Sequence, residues 1–106
     1  RQERFRAAGE RLKKGMLELG FTSAADPRYA SPVVTEFITP KGIPAEDVRQ
    51  YYRDAQNIMV GRGSRKNDSG TIVSYRIAHF GLAANNDRVD LMIDVTRQFC
   101  KSRGLL

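Results

Sequence analysis

Apolar residues recur at three- and four-residue steps at Phe5, Ala8, Leu12, Met16 and Leu19, which predicts an amphipathic helix over residues 2–19, ended by Gly20. Phe21 to Ala24 suits a short strand, and Ala25 to Ala30, with Asp26-Pro27 inside it, reads as loop. Ser31-Pro32 then introduces Val33-Val34-Thr35-Glu36-Phe37-Ile38-Thr39, a β-branched run stopped by Pro40 and therefore a predicted strand. Lys41-Gly42 makes the turn. Pro44 opens a short helix whose first turn holds Glu46 and Asp47, where carboxylates favour the helix dipole, and whose apolar stripe is Val48, Tyr52 and Ala55.

Asn57-Ile58-Met59-Val60 reads as a short strand, Gly61 to Gly70 as a glycine, serine and lysine loop, and Thr71 to Ala78 as a second good strand broken by Gly81. Asn85 or Asn86 caps a last helix with Asp87 in its first turn. Val89, Met92, Ile93, Thr96, Phe99 and Cys100 form its buried face, and Gly104 follows its end. The order is helix, strand, strand, helix, strand, strand, helix. It predicts an α+β fold: a mostly antiparallel sheet of about four strands with helices packed on one face. No internal repeat or low-complexity segment interrupts it.

Alternation along the strand at residues 71–78 separates two faces. Val73, Tyr75 and Ile77 share the face that helices would cover; Ile72, Ser74, Arg76 and Ala78 share the other. A cation in mid-strand between apolar neighbours needs an anionic partner or an open cleft, because burying it without one is costly. Ile72 and Ala78 favour cover on that second face, which suggests a second domain or subunit over the arginine. The pattern alone equally accommodates an arginine on the solvent side of an amphipathic strand.

At 106 residues the chain is one domain, 1–106, large enough for a single core. With 41% hydrophobic and 28% charged residues the composition is globular rather than disordered. No apolar run approaches the ~20 residues that cross a bilayer, and no signal-peptide pattern opens the chain, so no membrane partner is expected. Cys100 is the one cysteine, which excludes an internal disulfide and suits a reducing, cytoplasmic setting. One His and one Cys argue against a structural zinc site, and no metal is expected. The chain starts at Arg1, already inside a helical pattern, which suggests a piece of something longer.

The net charge of +6 calls for a comparison with nucleic-acid binders. Basic residues gather at Arg1, Arg4, Arg6, Arg11, Lys13 and Lys14, at Arg62, Arg65 and Lys66, and at Arg97, Lys101 and Arg103. Two of these groups alternate with apolar positions in the terminal helices, as on any solvated helix face. Aromatic residues do not interleave with the charges as a base-stacking surface requires, so no nucleic-acid partner is expected.

Three stretches carry a resemblance. Ser31-Pro32-Val33-Val34-Thr35, Ile58-Met59-Val60-Gly61-Arg62, and Tyr75-Arg76-Ile77-Ala78-His79-Phe80-Gly81 followed by Asp87-Arg88-Val89 come in the order and spacing of one known domain. The chain resembles, from about Leu12 to Cys100, the C-terminal small domain of class V (fold type I) pyridoxal-phosphate aminotransferases. Within that family the resemblance runs to the branch of the alanine–glyoxylate, serine–glyoxylate and 2-aminoethylphosphonate–pyruvate transaminases.

The resemblance implies a function for the larger enzyme. An amino group would pass between a small amino acid, or 2-aminoethylphosphonate, and a 2-oxo acid such as pyruvate or glyoxylate. Pyridoxal phosphate, the cofactor, would be bound mainly by a preceding large domain, a partner within the same enzyme, and the full-length protein would be a homodimer. Arg76 matches the family's carboxylate-binding arginine and is the one substrate-binding residue carried over. A planar guanidinium suits that clamp better than a lysine. No segment matches the cofactor lysine; Lys13, Lys14, Lys41, Lys66 and Lys101 fall on predicted helix surfaces or loops, so the chain alone should be inert, with no catalytic residue of its own. Ala78 stands where the family has glycine, which narrows the cleft, and Met59-Val60 stand where the aminoethylphosphonate branch has Tyr-Pro, which weighs against a phosphonate.

The other candidates have plainer readings. His79 would lie with Tyr75 and Ile77 as a hydrogen-bonded structural residue. Gly61-Arg62-Gly63-Ser64-Arg65-Lys66 could cradle a phosphate but opens no helix and lacks P-loop spacing, which favours a flexible hairpin loop. Cys100 reads as a small buried apolar residue, and Tyr51 and Tyr52 as rim and core of their helix. The alternative to the aminotransferase is a free-standing basic α+β module that binds RNA or a protein partner, although its strands lack the aromatic, glycine-rich pattern of the common RNA-recognition sheet.

Overall fold

The computed structural model describes residues 2–24, 34–78 and 86–106, with side chains from Arg6 onwards. Its elements are α1 (Gln2–Glu18), β1 (Thr22–Ser23), β2 (Val34–Ile38), α2 (Ala45–Gln56), β3 (Gly61–Arg62), β4 (Ser74–Ala78) and α3 (Asn86–Ser102). A 3-10 turn at Pro40–Gly42 links β2 to α2, and Lys41 there takes φ 56°. The strands form one sheet in the order β1-β2-β4-β3, and every pairing is antiparallel. This is the α+β architecture that the hydrophobic pattern predicts.

The core lies between the sheet and the three helices. Phe37 on β2 and Tyr75 and Ile77 on β4 point into it, and meet Leu12 and Met16 of α1, Val48 and Tyr52 of α2, and Val89 and Phe99 of α3. Full burial of each such side chain contributes about 1.5–3 kcal/mol. Helix α1 approaches α3 where Gly15 has no side chain; a Cβ there would come within 2.4 Å of Ile93 Cδ1. Arg11 spans the same two helices with a bidentate pair of 3.0 Å bonds to Asp90.

Two predicted elements shift. The strand expected at Asn57–Val60 is absent, and pairing starts only at Gly61. The end of α2 accounts for it: Asn57 adopts a left-handed φ of 55°, and the N–H groups of Asn57 and Ile58 return to the Arg53 and Tyr52 carbonyls. The Val60 carbonyl is also taken, by Arg49 Nε at 3.2 Å. Correspondingly, the loop expected over Gly61–Gly70 is shorter. Its first two residues are β3, Lys66 bridges to Ile72, and the chain reverses around Asn67, whose Oδ1 accepts from the Ser69 and Thr71 amides at 3.0 Å each. Ala55 is exposed; Ala45 takes its place in the buried stripe of α2.

Candidate functional site

Strand β4 presents Arg76 on the sheet face away from the helices. Its neighbours Tyr75 and Ile77 are buried, whereas the Arg76 side chain is 48% exposed. That matches the alternation, but the face is less uniform than the pattern suggested. Ser74 is completely buried and Ala78 half-buried, while Ile72 stays exposed. Ser74 is covered because Gly63 lies directly against it: a Cβ on Gly63 would fall 2.1 Å from Ser74 Oγ and 2.5 Å from its carbonyl carbon and oxygen.

A carboxylate occupies the same face. Glu36 at the centre of β2 is the direct register partner of Arg76, and its Oε1 lies 3.6 Å from Arg76 Nη2. Its other oxygen accepts two hydrogen bonds, from Ser74 Oγ at 2.5 Å and from the Ser64 amide at 3.0 Å. Ser74 Oγ in turn accepts from the Arg65 amide at 2.9 Å, and Arg65 Nη2 donates to the Ala24 carbonyl at 3.1 Å. Burial pushes the Glu36 pKa up, but the bonds from Ser74 and Ser64 and the nearby Arg76 and Arg65 cations together hold it below the usual carboxylate value.

On the opposite flank of Arg76 stands Gly61, its register partner on β3. A Cβ at Gly61 would make ordinary contact, 3.6 Å, with the Arg76 Cβ, so this flank carries only backbone. The row Glu36–Arg76–Gly61 is therefore a shelf with an acidic wall on one side and an open side on the other. A distance of 3.6 Å is a Coulombic contact rather than a hydrogen bond. Arg76 thus makes no hydrogen bond among the described residues, and its side chain is half-exposed with Nη2 toward Glu36.

The other sequence candidates fall elsewhere. His79, Phe80 and Gly81, like Ser31 to Val33, lie outside the described residues. Cys100 is buried, and its pKa is raised by that burial, as befits a core residue. Tyr52 is core and Tyr51 packs edge-on against Phe99 at 5.6 Å. Arg62 and Ser74 line a groove of about 330 Å³ beside the start of α2, which Arg76 does not line. Many helix charges are paired: Arg11 with Asp90, Lys13 with Glu10, Arg97 with Asp94 and Arg103 with Asp47. Sequence reasoning overlooked Glu36, Ser74 and the Gly63–Arg65 backbone. One signal was available, since each of the two best strands carries a single charge near its middle, of opposite sign.

No family model and no curated protein matches this sequence. Solved structures do. The chain is similar to the alanine–glyoxylate aminotransferase from Nostoc sp. with a TM-score of 0.74 at 22% identity over 91% of its length. It is similar to the ureidoglycine–glyoxylate aminotransferase from Bacillus subtilis with a TM-score of 0.76, again at 22% identity, over 94%. The pyridoxamine–pyruvate aminotransferase from Mesorhizobium loti follows at 0.53 and 16% identity over 91%. The chain spans only 25% to 30% of the length of these enzymes. It carries the α+β fold of a domain-sized part of these aminotransferases, the fold that the Tyr75–Gly81 resemblance implied.

Proposed function

We propose that this chain is the small domain of a class V aminotransferase and that Arg76 receives the carboxylate of a small amino acid and of its 2-oxo acid partner. The observation that carries the reading is an outward-facing arginine in mid-strand, on the sheet face that the helices leave uncovered. The aminotransferase fold of the matched structures supports it. A bidentate grip on a carboxylate contributes about 1.5–3 kcal/mol, and fixes the orientation of the substrate's reacting carbon.

Pyridoxal phosphate would supply the electron sink for proton removal at that carbon. The described residues do not fit the cofactor itself. Lys14, Lys41, Lys66 and Lys101 are exposed, and Lys13 is half-buried on α1 beside Glu10; Lys13 and Lys14 border a hollow of about 280 Å³ with Leu17 and Ser23, which Arg76 does not line, so no lysine shares a site with Arg76. The cofactor belongs, on this reading, to a large domain of the same enzyme that meets the open sheet face. Arg76, Glu36 and the Gly61 flank would then line the seam between the two. The RNA-binding alternative gains no support. Among the described residues Phe21, Phe37, Tyr52, Tyr75 and Phe99 are buried, leaving the sheet face without a stacking ring.

The test is made on the full-length protein. Arg76→Ala should weaken amino-acid binding about 10- to 100-fold while the cofactor's absorbance and occupancy stay unchanged. Arg76→Lys should recover only part of the loss, because an ammonium cannot make the two parallel bonds. Amino-acid affinity unaltered by Arg76→Ala would remove Arg76 from the site.

A further inference from the structure

The carboxylate beside Arg76 limits what the arginine can accept. Glu36 is the fixed member of the pair. Its side chain is only 16% exposed, and Ser74 Oγ and the Ser64 amide both bind Oε2. Ser74 is itself immobilised, buried under Gly63 and bonded to the Arg65 amide. Arg76 is the adaptable member, half-exposed and held by Glu36 through charge alone at 3.6 Å. A ligand anion therefore cannot displace Glu36; it must dock on the guanidinium with the Glu36 charge still in place, and the Gly61 flank, which carries no side chain, leaves room beside it.

We infer that Glu36 is a positioning and specificity residue that makes the Arg76 shelf accept a singly charged carboxylate and disfavour dianionic groups such as phosphonates. The inference rests on the reading of Arg76 above and deepens it. Two effects of one carboxylate are combined. By attracting Nη2, Glu36 turns one edge of the guanidinium toward itself and leaves the other for a bidentate carboxylate. By standing within a few ångströms of any anion so bound, it repels that anion in proportion to its charge. Arg65 also faces Glu36 and reduces this field, but it is committed to the Ala24 carbonyl. A second negative charge on the ligand gains attraction to Arg76 but meets added repulsion from Glu36, so Glu36 cancels much of the advantage that a dianion would otherwise have over a monocarboxylate. The amino acid and oxo acid that fit are those with one carboxylate at this end and no second anionic group beside it.

Two unreactive probes of matched size test this on the full-length protein: acetate and methylphosphonate. Each is assayed as a competitive inhibitor against the amino-acid substrate at low salt, across the pH range in which the phosphonate takes its second charge. In the unaltered protein, methylphosphonate should gain little affinity as that charge appears, while acetate inhibition stays level; without the Glu36 charge the methylphosphonate gain should be distinctly larger. Glu36→Gln keeps an acceptor for Ser74 and Ser64 but removes the charge, and should move the inhibition ratio about tenfold toward methylphosphonate. Methylphosphonate that tightens on ionising as much in the unaltered protein as in Glu36→Gln would overturn the inference. So would a ratio unmoved by Glu36→Gln in a protein where Arg76→Ala weakens both probes, and the carboxylate role of Arg76 would then survive. Both probes unaffected by Arg76→Ala would instead sink the parent reading.

Discussion

Tyr52 and Tyr75 join their hydroxyls at 2.7 Å in the centre of the core, both side chains completely buried and their rings edge to face at 5.7 Å. The direction of this bond follows from its neighbours. Thr96 Oγ1 donates to the Met92 carbonyl at 2.8 Å and so must accept from Tyr52, 2.7 Å away. Tyr52, having given its proton to Thr96, can only accept from Tyr75. One chain of donors thus links β4, α2 and α3 behind Arg76. Burial raises both phenol pKa values well above the ordinary range, so the network is protonated at neutral pH.

The two tyrosines are consequently not equivalent. Tyr75→Phe removes a donor and leaves Tyr52 still bonded to Thr96, which should cost about 1 kcal/mol. Tyr52→Phe strands the Tyr75 hydroxyl without a partner and should cost about 1–3 kcal/mol. The double variant should be less unstable than the two losses summed, because it leaves no buried hydroxyl on the rings. Urea unfolding of the four proteins checks the order; equal costs for the two single changes would contradict the donor direction.

The two glycines beside β4 also differ, in the opposite sense from their exposure. Gly63→Ala drives a methyl to 2.5 Å from the Ser74 carbonyl, where backbone cannot yield, and should cost about 1–3 kcal/mol and release the Ser64 amide from Glu36. Gly61→Ala meets only ordinary contact and should leave stability nearly unchanged. A larger residue such as Gly61→Val should still fold but crowd the open flank of Arg76, weakening substrate binding with little change in melting temperature. A Gly61→Val protein that binds normally would show that the ligand approaches from elsewhere.

These contrasts mark where sequence pattern was informative and where it was not. The helix spacing of Leu12 and Met16, and of Val89, Met92 and Phe99, and the alternation of Tyr75, Arg76 and Ile77 are local properties, and each placed its residue on the correct face. The partner of Arg76 was hidden because β2 and β4 are neighbours in the sheet without being joined by a hairpin; no turn between them sets which residues face each other. The burial of Ser74 depends on Gly63 approaching from β3, a tertiary contact without a local signature. The displaced third strand has a local cause: Asn57 tolerates a left-handed backbone and caps α2, so the residues after it cannot begin a strand at that point.

Arg49 holds the segment leading into β3. Its side chain is only 17% exposed, with Nε bound to the Val60 carbonyl and Nη1 to Glu46 at 3.1 and 2.6 Å. A lysine has a single nitrogen and cannot span both acceptors of that fork. Arg49→Lys should therefore cost about 1 kcal/mol and raise hydrogen exchange at Gly61 and Arg62 more than at Tyr75 or Ile77. Uniformly raised exchange would mean that Arg49 supports the whole core rather than this edge.

Acid should reveal the Glu36 network. Hydrogen bonds from Ser74 and Ser64, with Arg76 and Arg65, keep the folded pKa of Glu36 lowered despite burial, and the Arg11 bonds do the same for Asp90. In the unfolded chain both carboxylates return to about 4. The stabilisation from each is therefore complete above that value and is lost as pH falls through the lower folded pKa, because the unfolded chain binds the proton first. Stability should be level from about pH 7 to 5 and fall below about pH 4. Glu36→Gln should lower stability at neutral pH and flatten the acid slope. Asp90→Asn should do so more weakly and lose its effect in high salt, since the Arg11–Asp90 pair is half-exposed. Urea midpoints at pH 7, 5, 4 and 3 measure both, and a Glu36→Gln protein with an undiminished acid slope would show that the carboxylate is not ionised by its neighbours in the folded state.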